Sequence, residues 1–271
     1  MKELKGKTAA ITGAGSGLGR AMALAFAAEG MNLALADVDQ AGLDETAKQI
    51  KTNVFTMIVD VSKEADVEKF SRKIDRPYLV CNNAGVSTLG AAWEQSVGDW
   101  QWILGVNLWG VIHGVRAFVP RLIAQNEGHV VNTASVAGLI APPGMGMYNV
   151  SKHAVVALSE TLHHDLAARG AKVRCSVVCP AFFASGIADS ERSRPAALAS
   201  DRAKSDEDRA LEAMLHKATR SGRLSAGDIA AQVLGAIRDE RFYVLTHPKI
   251  NGAIERRMRD LLDGREPSSP V

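Results

Sequence analysis

Short runs of apolar and β-branched residues alternate along the chain with longer stretches in which apolar residues return every three or four positions. The runs are Thr8–Thr12, Asn32–Asp37, Asn53–Val59, Tyr78–Cys81, His129–Thr133, Lys172–Cys179 and Phe242–Thr246. Between them, spacings such as Val67, Phe70, Ile74 and Trp102, Val106, Trp109 predict helices. Repeated strand-helix-strand units build a parallel sheet covered on both faces, with right-handed crossovers. The pattern therefore predicts an α/β fold: a doubly wound, Rossmann-type parallel sheet of seven strands in a single domain over residues 1–271. Ligands of such sheets bind at the carboxyl ends of the strands.

Two stretches break the alternation. Ser185–Leu224 mixes small, charged and apolar residues over a length far beyond the usual connection of about two to six residues, and reads as a lid over the site. After the seventh strand, Pro248 precedes a helical pattern from Ile250 to Leu262, then Gly264 and a Pro/Ser-rich end that reads as frayed.

Composition narrows the function classes. Of 271 residues, 46% are hydrophobic and 23% charged, which is ordinary globular usage and enough for a large core. The net charge of +2 is scattered, so no nucleic-acid partner is expected. Cys81, Cys175 and Cys179 form neither a C-x-x-C pair nor a cluster with histidine, which points to free thiols in a reducing compartment and to no metal. His163-His164-Asp165 reads as a polar helix face, and Trp93, Trp100, Trp102 and Trp109 as helix packing. The polar start Met1-Lys2-Glu3-Leu4-Lys5-Gly6-Lys7 leads into a strand too short for a signal peptide's apolar region. The apolar stretches are interrupted by Glu29, His113 or Arg116 before the roughly 20 residues of a membrane span. A soluble, cytoplasmic protein without a membrane partner is expected.

The first strand runs into Thr12-Gly13-Ala14-Gly15-Ser16-Gly17-Leu18-Gly19-Arg20 and an Ala-rich helix from Arg20 to Glu29. Glycines let the backbone approach a pyrophosphate, and the helix start offers unpaired N–H groups to it. The spacing is T-G-x-x-x-G-x-G through Gly13, Gly17 and Gly19, not the literal G-x-G-x-x-G. Asp37 ends the second strand, where a carboxylate bonds a ribose 2′-hydroxyl and so selects NAD. It repels a 2′-phosphate by roughly 4 kcal/mol per unit charge at about 4 Å and an effective dielectric near 20. Val38 and Ser16 supply no offsetting cation, and Arg20 is expected to be exposed.

Tyr148 and Lys152 are four apart in a segment, Met147–Leu158, that reads as helix, so they share a face. A phenol has a pKa near 10, and a neighbouring ammonium lowers it toward the range of a general base. Ser135 lies just past the fifth strand, Asn82-Asn83-Ala84-Gly85 follows the fourth, and Asn107 sits in mid-helix, where amide side chains usually have a reason to be.

These four separated motifs, in this order and spacing, resemble the short-chain dehydrogenase/reductase family over nearly the whole chain. The resemblance implies that Tyr148 is the acid/base, that Ser135 holds the substrate oxygen, that Lys152 binds the nicotinamide ribose and lowers the Tyr148 pKa, and that Asn107 anchors a proton-relaying water. It further implies a cofactor set of Gly13, Ser16, Gly17, Leu18, Gly19, Asp37, Asp60, Val61, Asn83, Ala84, Gly85, Tyr148, Lys152, Pro180, Phe183 and Ser185, with Asp60 and Val61 at the adenine. Two departures stand out: the family's Pro-Gly after the sixth strand is Pro180-Ala181, and its glycine-rich C-terminal strand motif is replaced by Tyr243-Val244-Leu245-Thr246-His247-Pro248. The second favours a homodimer through the Asn107 and Tyr148 helices over a homotetramer.

Apolar residues near this chemistry, Val136, Ala137, Pro142, Met145, Phe182 and Met214, suit a hydrophobic or aromatic secondary alcohol or its ketone. The charges of the insertion, including Asp189, Glu191, Arg192, Arg194 and Arg202, are expected on its solvated outer face, with an arginine clamp on a substrate carboxylate as the alternative. An NADPH-dependent ketone reductase and a non-catalytic NAD-binding sensor are the competing functional readings.

Overall fold

Alternate residues of β1 (Thr8–Thr12) and β2 (Asn32–Asp37) enter opposite apolar layers. Ala9, Ile11, Leu33 and Leu35 face one layer, Ala10, Ala34 and Ala36 the other. Burial on both faces is what makes these strands read as continuous apolar runs. The structure, a computed structural model, describes residues 3–200 and 202–270; Met1 and Lys2 of the polar start, Asp201 of the insertion and Val271 lie outside the described residues.

With β3 (Val54–Ile58), β4 (Pro77–Asn82), β5 (His129–Thr133), β6 (Arg174–Cys179) and β7 (Tyr243–Leu245), these strands form one seven-stranded sheet in the order β3-β2-β1-β4-β5-β6-β7. Every pairing is parallel. The order reverses between β1 and β4, opening the crevice in which such sheets bind ligands. The fold is thus the doubly wound, Rossmann-type sheet that the pattern predicts. Strand ends differ by a residue or two. β6 begins at Arg174 and not Lys172, because the Lys172 N–H is given to the Asn126 side chain at 3.0 Å and not to a neighbouring strand.

One helical layer pairs α1 (Gly17–Ala28) with a helix over Ala226–Arg238, through Leu18, Met22, Phe26, Ile229, Val233 and Ile237. α2 (Gln40–Lys48) lies at the margin of the same layer through Leu43, and the other layer carries α3 (Glu64–Arg72), α4 (Val97–Leu104), α5 (Gly110–Gln125) and α6 (Gly146–Ala168). Phe70 of α3 meets Phe118 of α5 edge-on, with ring centroids 6.2 Å apart. α6 continues well past the expected Leu158 because Leu162 and Leu166 keep the helical stripe on the core. A five-residue π turn, Gly105–Trp109, joins α4 to α5 without a break. The whole stretch Val97–Gln125 is long and apolar enough to cross a bilayer, contrary to the expectation of early interruption, and half of its most apolar window is buried in the fold. Ile103, Val111, Phe118, Val119 and Leu122 are among its buried residues.

The insertion folds as short 3-10 turns, Gly186–Ser193 and Ala196–Leu198, followed by α7 (Asp206–Arg220); α8 is the Ala226–Arg238 helix and α9 spans Asn251–Leu262. Two of its arginines depart from the expected solvated face. Arg194 lies between Asp99 at 2.8 Å and Glu191 at 2.7 Å, stacked on Trp102, and its side chain is only 7% exposed. Arg202 pairs with Asp208 at 2.6 Å and Glu94 at 3.3 Å. Asp99 and Asp208 are buried capping carboxylates of α4 and α7, and a buried carboxylate needs a counter-charge. The Pro/Ser-rich end is exposed and irregular over residues 265–269, but it is tied back where buried Asp260 accepts the Ser268 N–H at 2.9 Å. Helix packing accounts for Trp102 and Trp100 but not for Trp93 and Trp109, which are exposed.

Candidate active site

The glycine loop is held by its neighbours. Thr12 Oγ1 accepts the N–H groups of Asn83 at 2.9 Å and Ala84 at 3.1 Å, and Asn83 Nδ2 donates to the Thr12 carbonyl at 3.0 Å. Gly13 has φ +67°, and a Cβ there would lie 2.8 Å from Ala84 Cα; one on Gly19 would lie 2.0 Å from the Gly13 carbonyl oxygen. These positions exclude side chains outright. Ser16 makes no side-chain cap and the first turn of α1 holds no acid, so its leading N–H groups face the cleft unclaimed by side chains.

Arg20 is not exposed as expected. Its Nε donates to Thr46 Oγ1 at 2.9 Å and its Nη2 to the Gly15 carbonyl, tying the loop to α2. Asp37 buttresses the same loop, Oδ2 accepting the Gly15 N–H at 2.8 Å and Oδ1 the Asp39 N–H at 3.1 Å. Asp60 Oδ1 accepts from Ser62 N at 3.0 Å and Ser62 Oγ at 2.6 Å, while the Val61 carbonyl lies 2.9 Å from His113 Nδ1 on α5.

On α6, Tyr148 and Lys152 share a face. Lys152 is buried, and its Nζ donates to the Thr133 carbonyl at 2.9 Å, 5.6 Å from the Tyr148 ring centroid. Burial lowers the Lys152 pKa to about 8. Burial also pushes the Tyr148 phenol above its ordinary value, and a hydrogen bond with Ser135 pulls the other way. Ser135 Oγ donates to the Pro180 carbonyl at 3.3 Å and accepts the Ala137 N–H at 3.1 Å.

Asn107 sits in the π turn, a device that often marks functional positions. Its Oδ1 accepts the Val86 N–H at 2.8 Å, and its Nδ2 donates to the Val86 carbonyl at 2.9 Å and to Ser151 Oγ at 3.2 Å. The amide thus clamps the chain just after Gly85 and ties it to α6.

One cleft of about 1130 Å³ gathers nearly all of the expected residues. Gly13, Ser16, Gly17, Leu18, Asp37, Asp60 and Val61 line one end, and Asn83, Ala84 and Gly85 the middle. Ser135, Tyr148, Lys152, Pro180, Phe183 and Ser185 line the other end with Val136, Ala137, Pro142, Met145, Phe182 and Met214. Gly19 and Asn107 stand behind the wall. Sequence reasoning missed Trp102 and Arg194 as lining, and Ile250 and Pro270 from the C-terminal segment. A tryptophan at helical spacing looks like core, and nothing in a Pro/Ser-rich end announces a fold-back. Among the described residues, no three His, Cys, Asp or Glu side chains group as a metal would require.

The family model for short chain dehydrogenase matches residues 7–196. A short chain dehydrogenase/reductase from Burkholderia phymatum, solved in complex with NAD, is 47% identical and superposes with a TM-score of 0.98 over 100% of this chain and 99% of that one. The CLA biosynthesis dehydrogenase/reductase of Lactiplantibacillus plantarum is 34% identical over 98% of this chain and 97% of its own length. The C alpha-dehydrogenase of a Sphingobium strain is 30% identical over 98% of this chain and 89% of its own. The strand order, the glycine loop and these matches agree, and the chain belongs to the short chain dehydrogenase family.

Proposed function

We propose that the protein is an NAD-dependent oxidoreductase acting on a hydrophobic or aromatic secondary alcohol or the corresponding ketone, with Tyr148 as acid/base. The observation that carries this reading is that Ser135, Tyr148 and Lys152 share one cleft with the glycine loop and Asp37. The cleft fits a dinucleotide: the loop has no room for side chains, the α1 N–H groups are free of side-chain caps, and Asp37 is fixed at the end of β2. The Burkholderia relative's complex with NAD supports the same cofactor. Asp37 would take the ribose hydroxyls, the α1 N-terminus the pyrophosphate, and Lys152, Ser185 and the Pro180–Phe183 loop the nicotinamide side.

NAD, when bound, supplies the carbon that accepts or donates hydride. The chain handles the proton. Ser135 holds the substrate oxygen beside the Tyr148 hydroxyl; Tyr148 takes the hydroxyl proton in oxidation and returns it in reduction. The raised phenol pKa favours the neutral, proton-donating form at neutral pH, so ketone reduction suits neutral and alcohol oxidation alkaline solution. The apolar end of the cleft supports a hydrophobic substrate. A homodimer through α5 and α6 and a cytoplasmic location complete the reading, the latter supported by three buried free cysteines.

The test is NADH absorbance at alkaline pH, with NAD or NADP, against aliphatic, benzylic, terpenoid and steroidal secondary alcohols. Tyr148-dependent reduction of NAD is the expected result. Bound NAD with no turnover of any alcohol or ketone would favour a sensor instead.

A further inference from the structure

Two places where the sequence departs from the family pattern touch each other. The N–H of Ala181, which stands where glycine is usual, donates to Nδ1 of His247 at 3.1 Å; His247 follows β7 in the segment that replaces the glycine-rich motif. Thr246 Oγ1 lies 2.8 Å from the same nitrogen. A backbone N–H can only donate, so Nδ1 presents its lone pair and the ring is the neutral Nε2–H tautomer. Burial holds the imidazole below its ordinary pKa, with the Phe182 backbone pulling upward, in keeping with a neutral ring.

The same peptide unit is gripped at its other end. Its carbonyl, that of Pro180, accepts the Val136 N–H at 3.0 Å and the Ser135 hydroxyl at 3.3 Å. His247 therefore sits across one peptide plane from Ser135, and the chain leaving that plane, Phe182 to Ser185, forms the wall of the cleft.

We propose that His247 is a positioning residue: by accepting the Ala181 N–H it fixes the Pro180–Ala181 peptide, and with it the nicotinamide-side wall of the cofactor cleft. This rests on assigning Pro180, Phe183 and Ser185 to the nicotinamide side. The test compares the affinities of NADH and ADP-ribose, which differ only by the nicotinamide moiety, by calorimetry on the full chain. His247→Leu removes the acceptor and is expected to weaken NADH about tenfold, as loss of one hydrogen bond implies, while leaving ADP-ribose unchanged. His247→Asn, whose Oδ1 can replace Nδ1 as acceptor, should restore most of the NADH affinity. Equal weakening of both ligands, no weakening of either, or no rescue by Asn would overturn the proposal. Ser185→Ala separates the two levels of the argument. If it weakens NADH selectively and His247→Leu does not, only the role of His247 falls; if neither variant is selective, the nicotinamide-side assignment falls with it.

Discussion

Lys152 and Tyr148 stand on one face of α6, yet the Lys152 ammonium makes its hydrogen bond to the Thr133 carbonyl, and its distance from the tyrosine ring centroid is 5.6 Å. In this arrangement burial acts on both groups against their charged forms.

Lys152 should therefore be a liability to the fold that function retains. Its folded pKa, about 8, lies below the ordinary lysine value, so between these pH values the unfolded chain binds more protons and stability rises with pH. Below about 8 the penalty is fully present. Lys152→Met is expected to abolish turnover and to raise stability at pH 7 by on the order of 2–3 kcal/mol. Thermal unfolding of both proteins from pH 7 to 10.5 checks this; the gap should close as pH rises.

Tyr148→Phe keeps the ring and removes the proton carrier. NAD affinity should stay within about twofold by calorimetry, while kcat falls by roughly 10³-fold or more. Normal turnover in this variant would refute the acid/base assignment.

Asp37 has two duties, a charge at the cofactor cleft and an acceptor for the Gly15 N–H. Asp37→Ala removes both, so the preference for NAD over NADP should narrow by at least about tenfold and dinucleotide affinity should fall. Asp37→Asn keeps an acceptor and should narrow the preference with less loss of affinity. Steady-state kinetics with the two cofactors distinguishes the variants.

The Arg194–Asp99 pair locks the insertion onto α4. Burial drives the Asp99 pKa up, but the Ser96 hydrogen bonds and Arg194 together hold it below the ordinary carboxylate value. The pair's contribution is thus present above the ordinary carboxylate pKa and lost as pH falls through the folded one. Arg194→Met should cost about 3 kcal/mol, because it leaves Asp99 buried without its partner, and the double change with Asp99→Leu should recover part of that. Limited proteolysis within residues 185–224 reports the loosening.

Sheet and site were legible to different depths. Strand alternation and the T-G-x-x-x-G-x-G spacing are local signals, and they carry the sheet, the loop and the placement of Asp37. Tyr148 and Lys152 share a helix face by their spacing of four, whereas the roles of both, and of distant Ser135, came from likeness to a family. Partners of long side chains left no such trace. Arg20 reaches Thr46 and Arg194 reaches Asp99 across spans that no periodicity encodes, so both looked like solvated charges. The fold-back of the C-terminal segment onto Asp260 is likewise a tertiary fact.

The π turn between α4 and α5 is also a phase shifter. Each residue of an α-helix advances about 100° around its axis, so the extra residue of a wider turn rotates everything on one side against the other. That offset lets a single helical rod carry Asp99 and Trp102 toward the insertion at one end while Val111, Phe118 and Leu122 stay on the core at the other. Wound as an even α-helix, the same residues would turn Asp99 by about a quarter turn away from Arg194. The Asn107 clamp and the latch on the insertion are thus set by one screw angle.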